Sequence, residues 1–360
     1  MDGQAQQRLM ATYRDAWRSR GIVAWLVSIG IVAVYVTLYF TDVLDPPAAA
    51  IGLESKWFLY SFVYSAAMIA GAWSFLRRHG NSRYQRVRTY VNVGVQVLLG
   101  FCVPFAMKLA GQKDFYLSYF WPLKIDYLFP TTLRSLPVYL VLYAMLGSLV
   151  AVPLLTIYFG KRWYCSWVCG CGALANTIGD PWRHLSSKST AAWRLENVTV
   201  YAVLALAVST TAVVAGNQFL GPGHGAFSHF ASQLQHYYFL VVASVLAGVV
   251  GTGLYPILGT RVWCRYFCPM AALLGLVQKL GRFRIAVKPD MCISCGNCST
   301  YCEMGIDVRS YAQSNQSFTR ASCVGCGMCA HVCPRGVLRL ENRWPIQGDK
   351  KQQSLPVVDF

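Results

Sequence analysis

Six runs of apolar residues, each close to twenty long, constrain this chain more than any other feature. They are Ile22–Phe40, Phe58–Leu76, Tyr90–Leu109, Leu136–Tyr158, Val198–Val214 and Tyr238–Leu258. A helix of about 20 residues matches a hydrocarbon core of about 30 Å, so each run reads as a membrane-spanning helix. Composition agrees: the chain is 55% hydrophobic and 13% charged, where soluble domains carry about 25% charged residues. The first run is too long for a secretory signal and no small-residue cleavage site clearly follows it, so it reads as an uncleaved helix.

A net charge of +17 invites a nucleic-acid reading, but its distribution excludes one. Basic residues crowd the N-terminal segment (Arg8, Arg14, Arg18, Arg20) and the loop after the second run (Arg77, Arg78, Arg83, Arg86, Arg88). More follow the fourth run (Lys161, Arg162, Arg183, Lys188) and the sixth (Arg261, Arg265, Lys279, Arg282, Arg284). In the first alternate loop Asp42, Asp45 and Glu54 outweigh Lys56, and residues 216–235 hold no Lys or Arg. The third, with Lys108, Lys113, Lys124 and Arg134, is less clean. This is the positive-inside pattern, and it puts both termini in the cytoplasm of an inner-membrane, multi-pass protein.

The chain divides into a basic arm (1–20), a six-helix membrane domain (21–283), a small soluble domain (284–342) and a polar tail (343–360). One repeat lies inside the membrane domain. "GKRWYCSWVCGCGALAN" after the fourth run aligns without a gap to "GTRVWCRYFCPMAALLG" after the sixth, pairing Gly160 with Gly259, Arg162 with Arg261, Cys165 with Cys264 and Cys169 with Cys268. The apolar stretches that follow, 173–179 and 270–281, are too short to span and read as helices lying at the interface.

Eight of the 14 cysteines fall in two runs, "CISCGNCSTYC" from Cys292 and "CVGCGMCAHVCP" from Cys323. A reducing cytoplasm disfavours disulfides, and structural zinc takes two pairs with a longer gap. Three cysteines at x2 spacing and a fourth after x3, twice, is the bacterial pattern for two [4Fe–4S] clusters, with each outlying cysteine ligating the other cluster. The expected sets are Cys292, Cys295, Cys298 and Cys333 for one, and Cys323, Cys326, Cys329 and Cys302 for the other. Pro334 follows the second outlying cysteine but Glu303 the first, a difference read as altering the local turn. The fold class is therefore all-α in the membrane, with six transmembrane helices, followed by a cytoplasmic two-cluster ferredoxin domain of α+β type.

"CEMGIDVRSYAQ" at Cys302–Gln313, between two ferredoxin runs and behind the C-x3-C-P of Cys264–Pro269, resembles the NosR/NapH-type family of membrane-bound ferredoxin-like proteins. The resemblance extends from the fourth run to about residue 340. It implies electron transfer at the cytoplasmic membrane beside the quinone pool, with clusters on the cytoplasmic side. Cys169-Gly170-Cys171 departs from the family's Cys-Pro. Neither a periplasmic flavin-binding domain nor a domain after the ferredoxin unit is read here, so the nitrate-reductase-type core is the nearest architecture.

The pairs Cys165/Cys169 and Cys264/Cys268 are expected to converge on a third metal or iron–sulfur centre, with Arg162 and Arg261 offsetting thiolate charge, since soft thiolates favour such metals. Cys171 reads as a substitute ligand or a packed thiol, and Cys102 as core. No histidine is central in a run, so a bis-histidine haem is not expected. His224, His229 and His236 lie in a far-side loop, either solvated or taking protons from quinol. Residues 180–184, "DPWRH", could contact a quinone head group or anionic lipid, but Trp and Arg are common at membrane interfaces and the segment reads as interface anchors. The resulting function is a membrane electron-transfer subunit between quinol, or another membrane donor, and a partner redox protein within a larger complex. A copper-reducing or copper-delivering protein, or an assembly factor with structural clusters, are the alternatives.

Overall fold

The computed structural model describes residues 21–344 apart from 54, 114, 130–132, 134–135 and 221–224. The basic arm, Arg134, His224 and all but the start of the 343–360 tail lie outside the described residues. Six helices are long and apolar enough to cross a membrane: α1 (Ile22–Phe40), α2 (Lys56–His79), α3 (Arg83–Leu109), α4 (Val138–Phe159), α6 (Thr190–Leu220) and α7 (Gly225–Val250). Between and after them lie the short helices α5 (Gly170–Asn176) and α8 (Pro269–Gln278).

Helix starts follow their capping residues. Ser55 Oγ accepts from the Trp57 N–H at 3.2 Å before α2, and Ser82 Oγ from Gln85 before α3, satisfying amide groups the first turn leaves open. Three helices begin well before their apolar runs, because an apolar run marks hydrocarbon while backbone bonding continues beyond it. The clearest case is α7. Its first turns contain His229 and His236, which are exposed on a helix rather than set in a loop.

Cys102 corrects a sequence expectation, since it faces outward on α3. In a helix bathed by lipid the outer face is apolar as well, so an apolar side chain there does not imply burial. The buried face of α3 is instead polar. Gln85, Arg88, Thr89, Asn92 and Gln96, at positions i, i+3, i+4, i+7 and i+11, form one stripe, each at most 6% exposed. From Gln85 to Gln96 the helix rises roughly 16 Å at about 1.5 Å per residue.

That stripe holds the segment between α4 and α5. Asn92 Nδ2 donates to the Ser166 carbonyl at 3.2 Å and Gln96 Nε2 to that of Val168, while Tyr64 Oη on α2 donates to Gly170 O at 2.8 Å. Asn92 and Gln96 are well inside α3, so the first C-x3-C loop re-enters between the helices. The short helices α5 and α8 are likewise packed inside, with Gly172, Ala173, Ala175 and Asn176 buried in one, and Met270, Ala271, Leu274 and Gln278 in the other. They do not lie along an outer surface, because their faces carry small residues that fit between helices. Gly160 and Gly259 turn the chain into the two loops at φ +72° and +94°, a conformation that glycine adopts without steric cost.

The C-terminal unit hangs on a two-stranded antiparallel sheet, β1 (Phe283–Val287) with β2 (Leu338–Asn342), paired Phe283 to Asn342 through Val287 to Leu338. Tyr311 stacks on Phe318 at 4.3 Å. Phe283, Ile285, Val308 and Val324 share one continuous core with Cys165, Trp263, Cys264 and Cys268, so this unit is packed on the bundle rather than tethered to it.

If the α3 stripe holds the re-entrant loop, Gln96→Leu should destabilise the protein by about 1 kcal/mol. Val91→Leu, on the outward face of the same helix, should change little. Unfolding in detergent measures both; equal midpoints for the two variants would deny the stripe this role.

Candidate functional site

The two ferredoxin runs surround two cavities. Cys292, Cys295, Cys298 and Cys333 line one. Cys302, Cys323, Cys326 and Cys329 line the other. In each, the outlying cysteine comes from the opposite run. Each third cysteine rides a short helix, Asn297–Thr300 or Met328–His331, begun by a left-handed glycine. The outlying sulfurs match too: Cys302 Sγ accepts from Ile306 N and Cys333 Sγ from Val337 N, both at 3.4 Å.

The environments differ. Cys295 and Ile293 are exposed at the first cavity, beside Arg309 and Arg335. Ile285, Ile306, Val308, Phe318 and Val324 wall the second. Burial pushes the Cys298 and Cys323 thiols up to about 12, so thiolates there need cationic partners. Among the described residues no three His, Cys, Asp or Glu side chains stand close enough together to hold a single metal ion. These eight thiols instead line two spaces, four to each, bounded by apolar walls and N–H donors, and that donor set suits a [4Fe–4S] cube.

The two C-x3-C pairs also meet. Cys165, Cys264 and Cys268 are buried in the shared core, with Cys169 and Cys171 packed against it. Burial pushes Cys165 up to about 12, opposed by Lys161 and Arg261 and reinforced by Cys169 and Cys264. Cys169 goes the other way, lowered by a hydrogen bond from the Cys171 thiol and by the N–H groups of Gly172 and Cys171. Cys268 Sγ accepts from Ala271 N at 3.4 Å, at the N-terminus of α8.

Arg261 stands where the sequence put it, its Nη1 3.8 Å from Cys264 Sγ and 3.0 Å from Cys165 O. Arg162 does not. Its guanidinium lies over the Phe283 ring at 4.9 Å and bonds Phe159 O. The buried cation of the first repeat is Lys161, whose Nζ reaches Ala321 O at 2.6 Å and Ala271 O at 3.3 Å. Gapless alignment matches Lys161 to Thr260, so the repeat's sequence symmetry pointed one residue too far.

Asp180 and Arg183 do not face lipid; both are at most 1% exposed. Asp180 meets His79 Nε2 at 3.3 Å, Arg183 Nε at 3.2 Å and Arg78 at 3.6 Å. Burial alone would raise its carboxyl, but His79, Arg183 and Arg78 hold it well below the usual range. Arg183 continues to Glu303 Oε2 at 2.6 Å, and Glu303 Oε1 meets Arg261 Nη2 at 2.8 Å. Glu303 is therefore an ion-pair centre and not merely a changed turn. Arg88 Nη1 donates to Cys326 O at 2.7 Å, yet its Nε and Nη2 have no hydrogen-bond partner. Cations buried in this way require anionic neighbours, which ligating thiolates would supply.

Sequence reasoning missed Lys161, Ser166, Glu303 and the α3 stripe. Ser166 Oγ donates to Val324 O at 2.7 Å, joining the loop of Cys165 and Cys169 to that of Cys323 and Cys326. A signal for the stripe was present in Gln85, Arg88, Asn92 and Gln96 at helical spacing, since polar groups within a span are costly and mark buried partners. A third cavity, of about 230 Å³, is lined by Lys161, Trp193, Glu196, Cys264, Arg265 and Arg320 among others. His229 and His236 contribute to none of these sites.

Comparison with known proteins agrees with this geometry. The family described as 4Fe-4S dicluster domain matches residues 285–340, and that described as 4Fe-4S binding domain matches 141–189 and 241–288, the two C-x3-C repeats. The chain thus carries segments that match two 4Fe–4S domain families, beside six helices long and apolar enough to cross a membrane. This is consistent with the NosR/NapH-type family it resembles. It is 29% identical over 170 residues to the putative electron transport protein YccM of Escherichia coli (strain K12), covering 42% of this chain and 44% of that protein. It is 25% identical over 163 residues to the methylamine utilization ferredoxin-type protein MauN of Methylobacillus flagellatus, covering 44% and 54%. The chain thus spans about half the length of the curated relatives it matches. No solved structure matches it.

Lys161→Met would remove the charged donor that the Ala271 and Ala321 carbonyls share and should cost about 2 kcal/mol. Arg162→Met gives up a ring contact worth about 1 kcal/mol or less. Unfolding midpoints of the two variants in detergent should fall in that order; the reverse order would restore Arg162 as the buried cation.

Proposed function

We propose that this ferredoxin-type protein is a membrane electron-transfer subunit. It relays electrons between quinol or another membrane donor and a partner redox protein, within a larger complex of the inner membrane and with both termini cytoplasmic. The ligand sets are Cys292, Cys295, Cys298 and Cys333 for one cluster and Cys302, Cys323, Cys326 and Cys329 for the other. Cys165, Cys169, Cys264 and Cys268 hold a third centre. Bound iron–sulfur clusters supply one-electron chemistry; the chain supplies their order, insulation and charge.

The observation that carries this reading is the contact of the C-x3-C loop with the second ferredoxin run. Ser166 is the residue after Cys165 and Val324 the residue after Cys323, and their 2.7 Å hydrogen bond joins the two thiol sets directly. From there Cys298 neighbours Cys329, and the set containing Cys298 is the one with an exposed cysteine, Cys295. The thiol sets therefore run from the inside of the helix bundle to the protein surface. Cys264 borders the largest cavity described above, where a membrane-side donor would approach between Trp193 and the Glu196–Arg265 ion pair. The surface beside Cys295, Ile293, Arg309 and Arg335 suits an acidic partner.

Two measurements test the assignments. Cys333→Ser should alter the paramagnetic resonance of the cluster built on Cys292–Cys298, and Cys302→Ser that of the cluster built on Cys323–Cys329. Loss confined to the run that carries the mutation would refute the exchange of outlying ligands. Iron in the wild type should exceed the roughly eight atoms of two cubes, and Cys165→Ser/Cys264→Ser should remove the excess. One copper or zinc there instead would favour metal handling, and unchanged metal would leave these cysteines as packing.

Topology is checked separately. A thiol reagent that cannot cross the membrane should not label Cys323 or Cys329 in intact cells containing cluster-free protein. Labelling from outside would invert the orientation.

A further inference from the structure

Glu303 occupies the place that Pro334 takes in the second run. Its carboxylate is buried and ion-paired to two buried guanidiniums, Arg183 at 2.6 Å and Arg261 at 2.8 Å. Each guanidinium also approaches a sulfur. Arg183 Nη1 is 3.9 Å from Cys326 Sγ, and Arg261 Nη1 is 3.8 Å from Cys264 Sγ. Cys326 lines the second ferredoxin cavity, while Cys264 belongs to the C-x3-C tetrad. One carboxylate thus fixes two cations, each beside a different thiol set.

We infer that Glu303 is a positioning residue that sets the reduction potentials of these two centres together. The inference rests on the reading above that both thiol sets hold iron–sulfur centres. Reduction adds one electron to a centre, so a nearby cation favours it and a nearby anion opposes it. Net charge and hydrogen bonds to sulfur are among the quantities that set such potentials. In a poorly solvated interior, water damps these charges little. Glu303 opposes reduction at both centres by its own charge, and it limits that effect by keeping a guanidinium against each sulfur. Proline at this position would do neither.

The test is a redox titration of the full chain in detergent, with dithionite as reductant, followed by paramagnetic resonance. In Glu303→Gln both centres should become easier to reduce, each by roughly tenfold in equilibrium constant, or about 59 mV for one electron. The centre of Cys292, Cys295, Cys298 and Cys333 should move less. Glu303→Asp, which retains the charge, should stay near wild type. If Glu303→Gln does not assemble, the double variant Arg183→Gln/Glu303→Gln keeps the buried net charge unchanged. It should raise the potential of the tetrad centre while leaving the Cys326 centre nearly unmoved. A shift at only one centre in Glu303→Gln, or an equal shift of all three in both the Gln and Asp variants, overturns the inference. So does a double variant that leaves the tetrad potential where it was. Iron near eight atoms in the wild type would instead withdraw the reading on which the inference rests, so the two failures are distinct.

Discussion

Irregular backbone inside an apolar helix bundle needs a partner for every carbonyl, because neither lipid nor packed apolar side chains can supply one. The first C-x3-C loop meets that requirement through α3. Asn92 and Gln96 satisfy Ser166 and Val168, while two turns nearer the helix start Gln85 and Arg88 satisfy Cys326. One face of one helix therefore holds both the re-entrant loop and the ferredoxin loop, and it fixes the distance between them. Everything proposed for electron movement depends on that alignment, since loops held by different elements would drift relative to each other.

Charge is distributed by the same logic. Arg88, Arg183, Arg261 and Lys161 are buried around the sulfurs, and Asp180 and Glu303 are the carboxylates among them. Burial alone would raise the Glu303 carboxyl, but Arg261, Arg183 and Arg88 hold it below the usual carboxylate range. A structure that buries these cations commits itself to negatively charged neighbours. Thiolate-bound clusters satisfy that need, while neutral thiols would leave part of it unmet. The cation-rich interior is thus an independent argument for occupied sites, separate from the spacing of the cysteines.

How much of this was legible in the sequence depends on how local the determinant was. The six helices were, because hydropathy reports the surroundings of a continuous segment. The ferredoxin runs were, because three ligands of each proposed cluster lie within seven residues of one another. Lys161 was not. It reaches Ala321, far along the chain, and a linear alignment saw only the match of Arg162 with Arg261. Cys102 was misread for a related reason: inside a membrane, apolar character is shared by the buried and the outward faces. Asp180 and Arg183 were read as interface anchors because their partners, His79 and Glu303, are distant in sequence.

The departure at Cys169-Gly170-Cys171 has a comparable origin. In the second repeat Pro269 follows the cysteine and opens α8, where the missing N–H would have been unpaired anyway. In the first repeat a Cβ on residue 170 would stand 2.8 Å from Gln96 Oε1 and 3.2 Å from Tyr64 Oη. These are two of the groups that hold the loop. A proline ring at that position would displace the bonds to Val168 and Gly170 and so release the loop from α2 and α3. Glycine is what the close approach of two helices permits, and it leaves room for the second thiol, Cys171, whose hydrogen bond lowers Cys169. The two halves of the tetrad are therefore related by sequence but supported differently. The first is held by neighbouring helices, whereas the second is held by the start of its own helix, where Cys268 accepts from Ala271.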